Sequence, residues 1–114
     1  MNDPILQEAL ERGLADKRGL YISANVFADG GQLGRVWAFL NEDKLYLAEL
    51  EFPAGLGESL RVIELPGARI AVQRFLVPLS LRLESPQGVF EFKGFRDARA
   101  WLAAVQETAE RTFR

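Results

Sequence analysis

From Leu20 to Lys93 the chain is cut into seven short runs of strand-forming residues, and the last run leads straight into one amphipathic helix. Leu20–Ala28 sets Leu20, Ile22, Ala24 and Val26 against Tyr21, Ser23, Asn25 and Phe27 in strict alternation. Arg35–Leu40 and Leu45–Phe52 follow as a hairpin around the polar turn Asn41-Glu42-Asp43-Lys44. Leu60–Leu65 and Arg69–Phe75 are joined by Pro66-Gly67, which fits the centre of a type II turn. Val77–Leu83 and Val89–Lys93 form a second hairpin across Ser85-Pro86-Gln87-Gly88, with Pro78 marking an edge, a bulge or a strand start. Asp29–Gly34 reads as a flexible glycine-rich loop, and residues 53–58 as a second one.

Two helices flank these strands. Ile5, Leu6, Ala9, Leu10 and Leu14 recur at helical spacing, with Asp3 as N-cap, Pro4 at the first position and Gly13 as the stop. At the other end Asp97 caps a helix running to about Thr112, with Ala98, Trp101, Leu102, Val105 and Ala109 on one stripe. The expected organisation is a single domain over 1–114: an N-terminal helical extension (1–16), a seven-stranded barrel (20–95) and a capping helix (97–112). By class this is a mainly β, or α+β, antiparallel barrel with Phe90, Phe92, Trp101 and Leu102 plugging its interior.

Composition removes whole classes of chemistry. With no Cys and no His there is no thiolate nucleophile, no disulfide, no zinc ligand set of the usual kind and no imidazole base. A formal charge of -2 gives no field for nucleic acid or anionic lipid. No apolar run approaches membrane-spanning length, and the first residues do not form a signal peptide, so a cytoplasmic location is expected. Glu42 with Asp43, and Glu49 with Glu51, lack a third ligand or a basic partner, and the serines lack a base. The glycines of residues 30–34 have neither the spacing nor the following helix and Lys of a phosphate loop. The expectation is a non-enzyme with no cofactor, no metal and no small-molecule substrate.

The stretch Val36-Trp37-Ala38-Phe39-Leu40-Asn41-Glu42-Asp43-Lys44-Leu45-Tyr46-Leu47 resembles the second and third strands of the pleckstrin-homology superfold, especially its bacterial and GRAM-type versions. Leu81–Phe95 running into Asp97-Ala98-Arg99-Ala100-Trp101-Leu102 is similar to that superfold's final hairpin and helix. The resemblance spans roughly Leu20 to Thr112. It implies two nearly orthogonal antiparallel sheets closed at one end by the helix, and a module that binds proteins or lipid head groups. Members that bind phosphoinositides place several Lys and Arg around the loop between the first two strands. Here Asp29–Arg35 offers one Arg and one Asp, which argues against inositol phosphates.

Candidate contact residues are Leu33, Leu56, Arg35, Trp37 and Phe39. Leu33 and Leu56 each stand between glycines in the two loops, where they either meet a partner or lipid interface or fold back over the barrel mouth. Trp37 and Phe39 share one face of a strand whose other face carries Val36, Ala38 and Leu40. That face is either an interaction surface or the seat of one of the helices. Arg61, Arg69, Arg74 and Arg82 make a basic patch unless Glu64, Glu84 and Glu91 pair with them across strands. The functional expectation is a binding or adaptor module acting through protein contacts, self-association included; the alternative is a peripheral membrane or lipid-head-group module.

Overall fold

The computed structural model describes residues 3–73, 79–96 and 98–111. In chain order the elements are α1 (Pro4–Glu11), β1 (Tyr21–Ala28), β2 (Gly31–Asn41), β3 (Lys44–Glu51), β4 (Gly55–Glu64), β5 (Arg69–Gln73), β6 (Leu79–Ser85), β7 (Gly88–Phe95) and α2 (Arg99–Glu110). Arg74 and the strand start at Pro78 lie outside the described residues, as do the cap at Asp97 and the helix end at Thr112.

Local chemistry explains most of the boundaries. The Asp3 carboxylate accepts the Leu6 amide at 3.1 Å, and Pro4 opens α1 where no amide hydrogen is needed. The helix stops at Glu11 rather than Leu14, because Gly13 turns left-handed (φ 75). The Leu14 amide then reaches the Ala9 carbonyl at 2.8 Å and the Gly13 amide reaches Leu10 at 3.2 Å, a Schellman motif that folds Leu14 back into the protein.

The glycine-rich loops are mostly strand. Only Asp29 and Gly30 turn between β1 and β2, both at positive φ (48 and 81), the geometry that matches strand twist in a two-residue hairpin. Gly31 and Gly34 lie within β2. Likewise β4 begins at Gly55, and Gly57 stands where a Cβ would come within 3.1 Å of the Glu49 carbonyl oxygen, beside ladder irregularities between Leu47 and Leu50. Glycine here permits a bulged, close-packed hairpin instead of breaking it.

All seven strands form one antiparallel sheet ordered β4-β3-β2-β1-β7-β6-β5. The strands therefore run as two meanders, β1–β4 and β5–β7, made continuous where Asn25–Ala28 pairs with Phe90–Lys93. Among the described residues β4 and β5, joined through Pro66-Gly67, are the two outer strands and do not pair. Side chains and the terminal helix close the gap between them. The Gln87 side chain accepts the Glu64 amide at 2.9 Å and donates to its carboxylate at 3.0 Å, and the Gly67 amide donates to Ala109 at the end of α2 at 2.9 Å.

The main core lies between the inner face of this sheet and α2. Ile22, Val26, Val36, Ala38, Leu40, Leu45, Leu47, Ile63, Leu81, Leu83, Phe90 and Phe92 meet Trp101, Leu102 and Val105. The Trp101 ring packs 6.2 Å from Phe92 and 5.9 Å from Phe95, and its indole donates to the Ala38 carbonyl at 3.2 Å. Replacing Trp101 by Ala is expected to lower unfolding free energy by about 3–5 kcal/mol, and by Phe about 1–2 kcal/mol. Urea titration measures both, and a Phe variant as unstable as the Ala variant would show that the hydrogen bond outweighs ring volume.

Candidate interaction surface

β2 is buried on both sides. Val36, Ala38 and Leu40 face the main core, while Trp37 and Phe39 project to the outer face of β1–β4, where α1 and the segment after it cover them. Ala9, Leu14 and Ala15 are buried there with Phe39, Ala48 and Leu56, and Ile5, Leu6, Tyr21, Trp37 and Tyr46 pack around them. Tyr21 stands 5.8 Å from Trp37 and 5.3 Å from Phe39, ring centre to ring centre.

Polar contacts fasten this cover. The Tyr21 hydroxyl donates to Asp3 at 2.5 Å; burial, and then that bond, push the phenol up to about 12. The same bond is the largest cause holding the Asp3 carboxyl below its ordinary value, with the Leu6 and Ile5 amides adding to it against desolvation. Further along, Asp16 accepts from Arg18 at 2.7 Å and from the Glu42 amide at 2.7 Å, and Arg18 donates to the Glu42 carbonyl at 3.0 Å. The Asn41 side chain donates to the Gly13 carbonyl at 3.0 Å. Arg18 chiefly, then the Glu42 amide, hold the Asp16 carboxyl down at about 2 although burial opposes them.

Of the five candidate contact residues, three are thus drawn together beneath α1. Phe39 has no exposed surface, Leu56 is 8% exposed, and the Trp37 indole spends its donor on the Gly55 carbonyl at 2.9 Å. Phe39 and Leu56 are not displayed, because the apolar stripe of α1 needs the face they occupy. Leu33 is half-buried against the main core instead of riding a flexible tip, since the turn is confined to Asp29 and Gly30. Arg35 remains exposed on β2. Arg82 pairs with Glu84 along its own strand at 3.2 Å and stands opposite Glu91 in register, and Arg69 stands opposite Glu84, so these two members of the expected basic patch face carboxylates, while Arg61 stands opposite Leu47. Lys93 lies over the Phe27 ring at 5.2 Å.

A different residue is displayed. β3 ends at Glu51, and the turn to β4 presents Phe52, Pro53 and Ala54 to solvent, with Phe52 97% exposed. In the sequence Phe52 passes for the last residue of a strand; the following Pro, which pushes its predecessor out of the ladder, was the available signal. The base of this turn is tied down by contacts: Gly55 receives the Trp37 indole, Leu56 enters the outer core and Gly57 packs on β3. The β1–β2 turn stands at the same end of β1–β4.

Among the described residues no three His, Cys, Asp or Glu side chains converge as a metal ion would require, and no helix is long and apolar enough to cross a membrane. No family model matches the chain, and no curated protein does. Among solved structures it is similar to the crystal structure of the pleckstrin homology domain of ArhGAP27, at 20% identity and a TM-score of 0.57, covering 79% of this chain and 96% of that one.

Asp16 has a direct thermodynamic consequence. Its folded pKa lies below the ordinary 3.8, so the stability it contributes is complete above pH 3.8 and is lost as pH falls toward about 2. Urea midpoints measured between pH 5 and pH 2 should fall more steeply for wild type than for Asp16→Asn, which is already weakened at neutral pH. Asp3→Ala, which removes both the cap and the Tyr21 partner, is expected to cost about 1–2 kcal/mol by the same assay. Equal pH slopes for wild type and Asp16→Asn would contradict this account of the Asp16 clamp. The fold on which these contacts are built is a pleckstrin-homology-like one: a seven-stranded antiparallel sheet closed by a C-terminal helix, with a short N-terminal helix laid on its outer face.

Proposed function

We propose that the chain is a non-catalytic cytoplasmic binding module that works through protein contacts, with another protein or a second copy of itself as partner. The observation that carries this reading is the hairpin end of β1–β4, where a turn of three consecutive apolar residues, Phe52-Pro53-Ala54, stands in water on a braced base. Hairpin turns are ordinarily built from Gly, Pro, Asn, Asp and Ser, so Pro53 is turn chemistry, whereas a fully exposed Phe52 beside it adds nothing to the fold that holds it. Arg35 and the half-buried Leu33 border the same end from β2.

The lipid reading draws less support. Within the β1–β2 hairpin the side chains around the turn are Asp29, Gln32 and Arg35, and the groove beside it brings Arg82 and Lys93 next to Asp29 and Glu91, so its cations are matched by carboxylates, a poor cradle for a phosphorylated head group. The grooves on the outer sheet face, such as the one lined by Ala71, Gln73, Ser80, Arg82, Glu91 and Lys93, mix both signs of charge and are open to solvent.

The test joins three measurements on the full chain, the first being affinity capture of partners from lysate. Sedimentation equilibrium over a wide concentration range reports self-association, and co-sedimentation with phosphatidylcholine vesicles, with and without phosphatidylserine or phosphoinositide, reports lipid binding. A specific protein recovered reproducibly by affinity capture, or a reversible dimer, together with no pelleting on any vesicle, is the expected outcome. Pelleting with vesicles and neither a dimer nor a captured protein would replace the protein reading by the lipid one.

A further inference from the structure

We propose that the β3–β4 turn is the contact point for a cationic protein segment, one that offers an apolar pocket or side chain to Phe52 and surrounds it with Lys or Arg. The inference rests on the protein-binding reading above and assigns that partner its chemistry.

The first element is the display of Phe52. The ring is 97% exposed, its neighbours Pro53 and Ala54 are exposed, and Phe52 belongs to neither apolar core. The second is the stiffness of the mount. Trp37 donates to Gly55 at 2.9 Å, Leu56 is anchored in the outer core, and Gly57 sits so close to β3 that a Cβ there would lie 3.0 Å from Glu51 Cγ and 3.1 Å from Glu49 Cβ. With the backbone braced in this way, the ordering left to a partner is that of the ring's own two torsions.

The third element is charge, which selects the partner. Glu49, Glu51 and Glu58 flank the turn and are all exposed, and the sequence from residue 45 to residue 60 contains no Lys or Arg. Asp29 tops the neighbouring turn; among the described residues Arg35 is the cation that β1–β4 themselves place at this end, and Lys93 of β7 lies over Phe27 beside Asp29 and Glu91. An anionic bilayer would be repelled by carboxylates set at the depth to which Phe52 would have to insert. An aromatic anchor with an acidic rim is complementary to an apolar site with a basic rim, and the rim charges raise the association rate and exclude acidic competitors.

The test is selection from a phage-displayed random peptide library on the immobilised full chain, followed by titration with the enriched peptides made synthetically. Enriched sequences should place an aromatic or aliphatic residue among Lys or Arg. Their affinity should fall at least tenfold for Phe52→Ser and for the triple variant Glu49→Gln, Glu51→Gln, Glu58→Gln, should weaken with added salt, and should be unchanged for Leu10→Ser, an exposed apolar residue on α1. Because Phe52 packs on nothing, Phe52→Ser should keep the wild-type urea midpoint, which separates lost binding from lost fold. Peptides that bind Phe52→Ser as well as wild type would overturn the assignment of the turn while leaving the protein-binding reading intact. Enriched peptides that are acidic or uncharged would overturn the cationic partner. Phe52-dependent pelleting on phosphatidylcholine vesicles, with no peptide enriched, would overturn both.

Discussion

The two-sided burial of β2 is the constraint from which the other contacts follow. Its inner residues need a lid on the barrel, supplied by α2 through Trp101, whose indole donates to the backbone of β2 itself at Ala38. Its outer residues, Trp37 and Phe39, need a second lid, supplied by α1 and the segment running to Ala15. Each face of this central strand thus carries one tryptophan hydrogen bond: Trp101 of the terminal helix donates to β2 on the inner side, and Trp37 of β2 donates to the start of β4 on the outer side. A strand buried on both faces carries apolar side chains at successive positions, as Val36 to Leu40 do.

That arrangement turns an extension of the minimal fold into a structural layer. α1 is only eight residues long and would be marginal alone in water. It persists because its apolar stripe, its Schellman end and the carboxylates of Asp3 and Asp16 all converge on β1–β4. Asp3 caps the helix with one oxygen and receives Tyr21 with the other, so one side chain serves both the start of the helix and its docking on β1.

Much of this was legible in the residues. Alternation located the seven strands, the stripe around Trp101 located the plug, and the need of Ile5, Leu6 and Leu14 for a surface matched the aromatic face of β2. What escaped was set by backbone geometry. Glycine in Gly31–Gly34 and Gly55–Gly57 reads as loop, yet there it accommodates strand irregularities and close approach. As a result Leu33 and Leu56 fall on strands, and the exposed tip moves to Phe52. Strand pairing between β1 and β7 left no local signature either, because it joins segments far apart in the chain.

The β1–β7 ladder also sets a timetable. β1–β4 can pair as soon as the first half of the chain exists, but one edge of β1 stays open until Phe90–Lys93 has been made. Closing that edge brings together residues more than sixty positions apart, the kind of contact whose loop entropy slows folding. On a nascent chain the first meander would have a bare edge and an uncovered inner face, since β7 and Trp101 both lie C-terminal to it. Early docking of α1, which needs only residues already made, would keep the other face out of water during that interval.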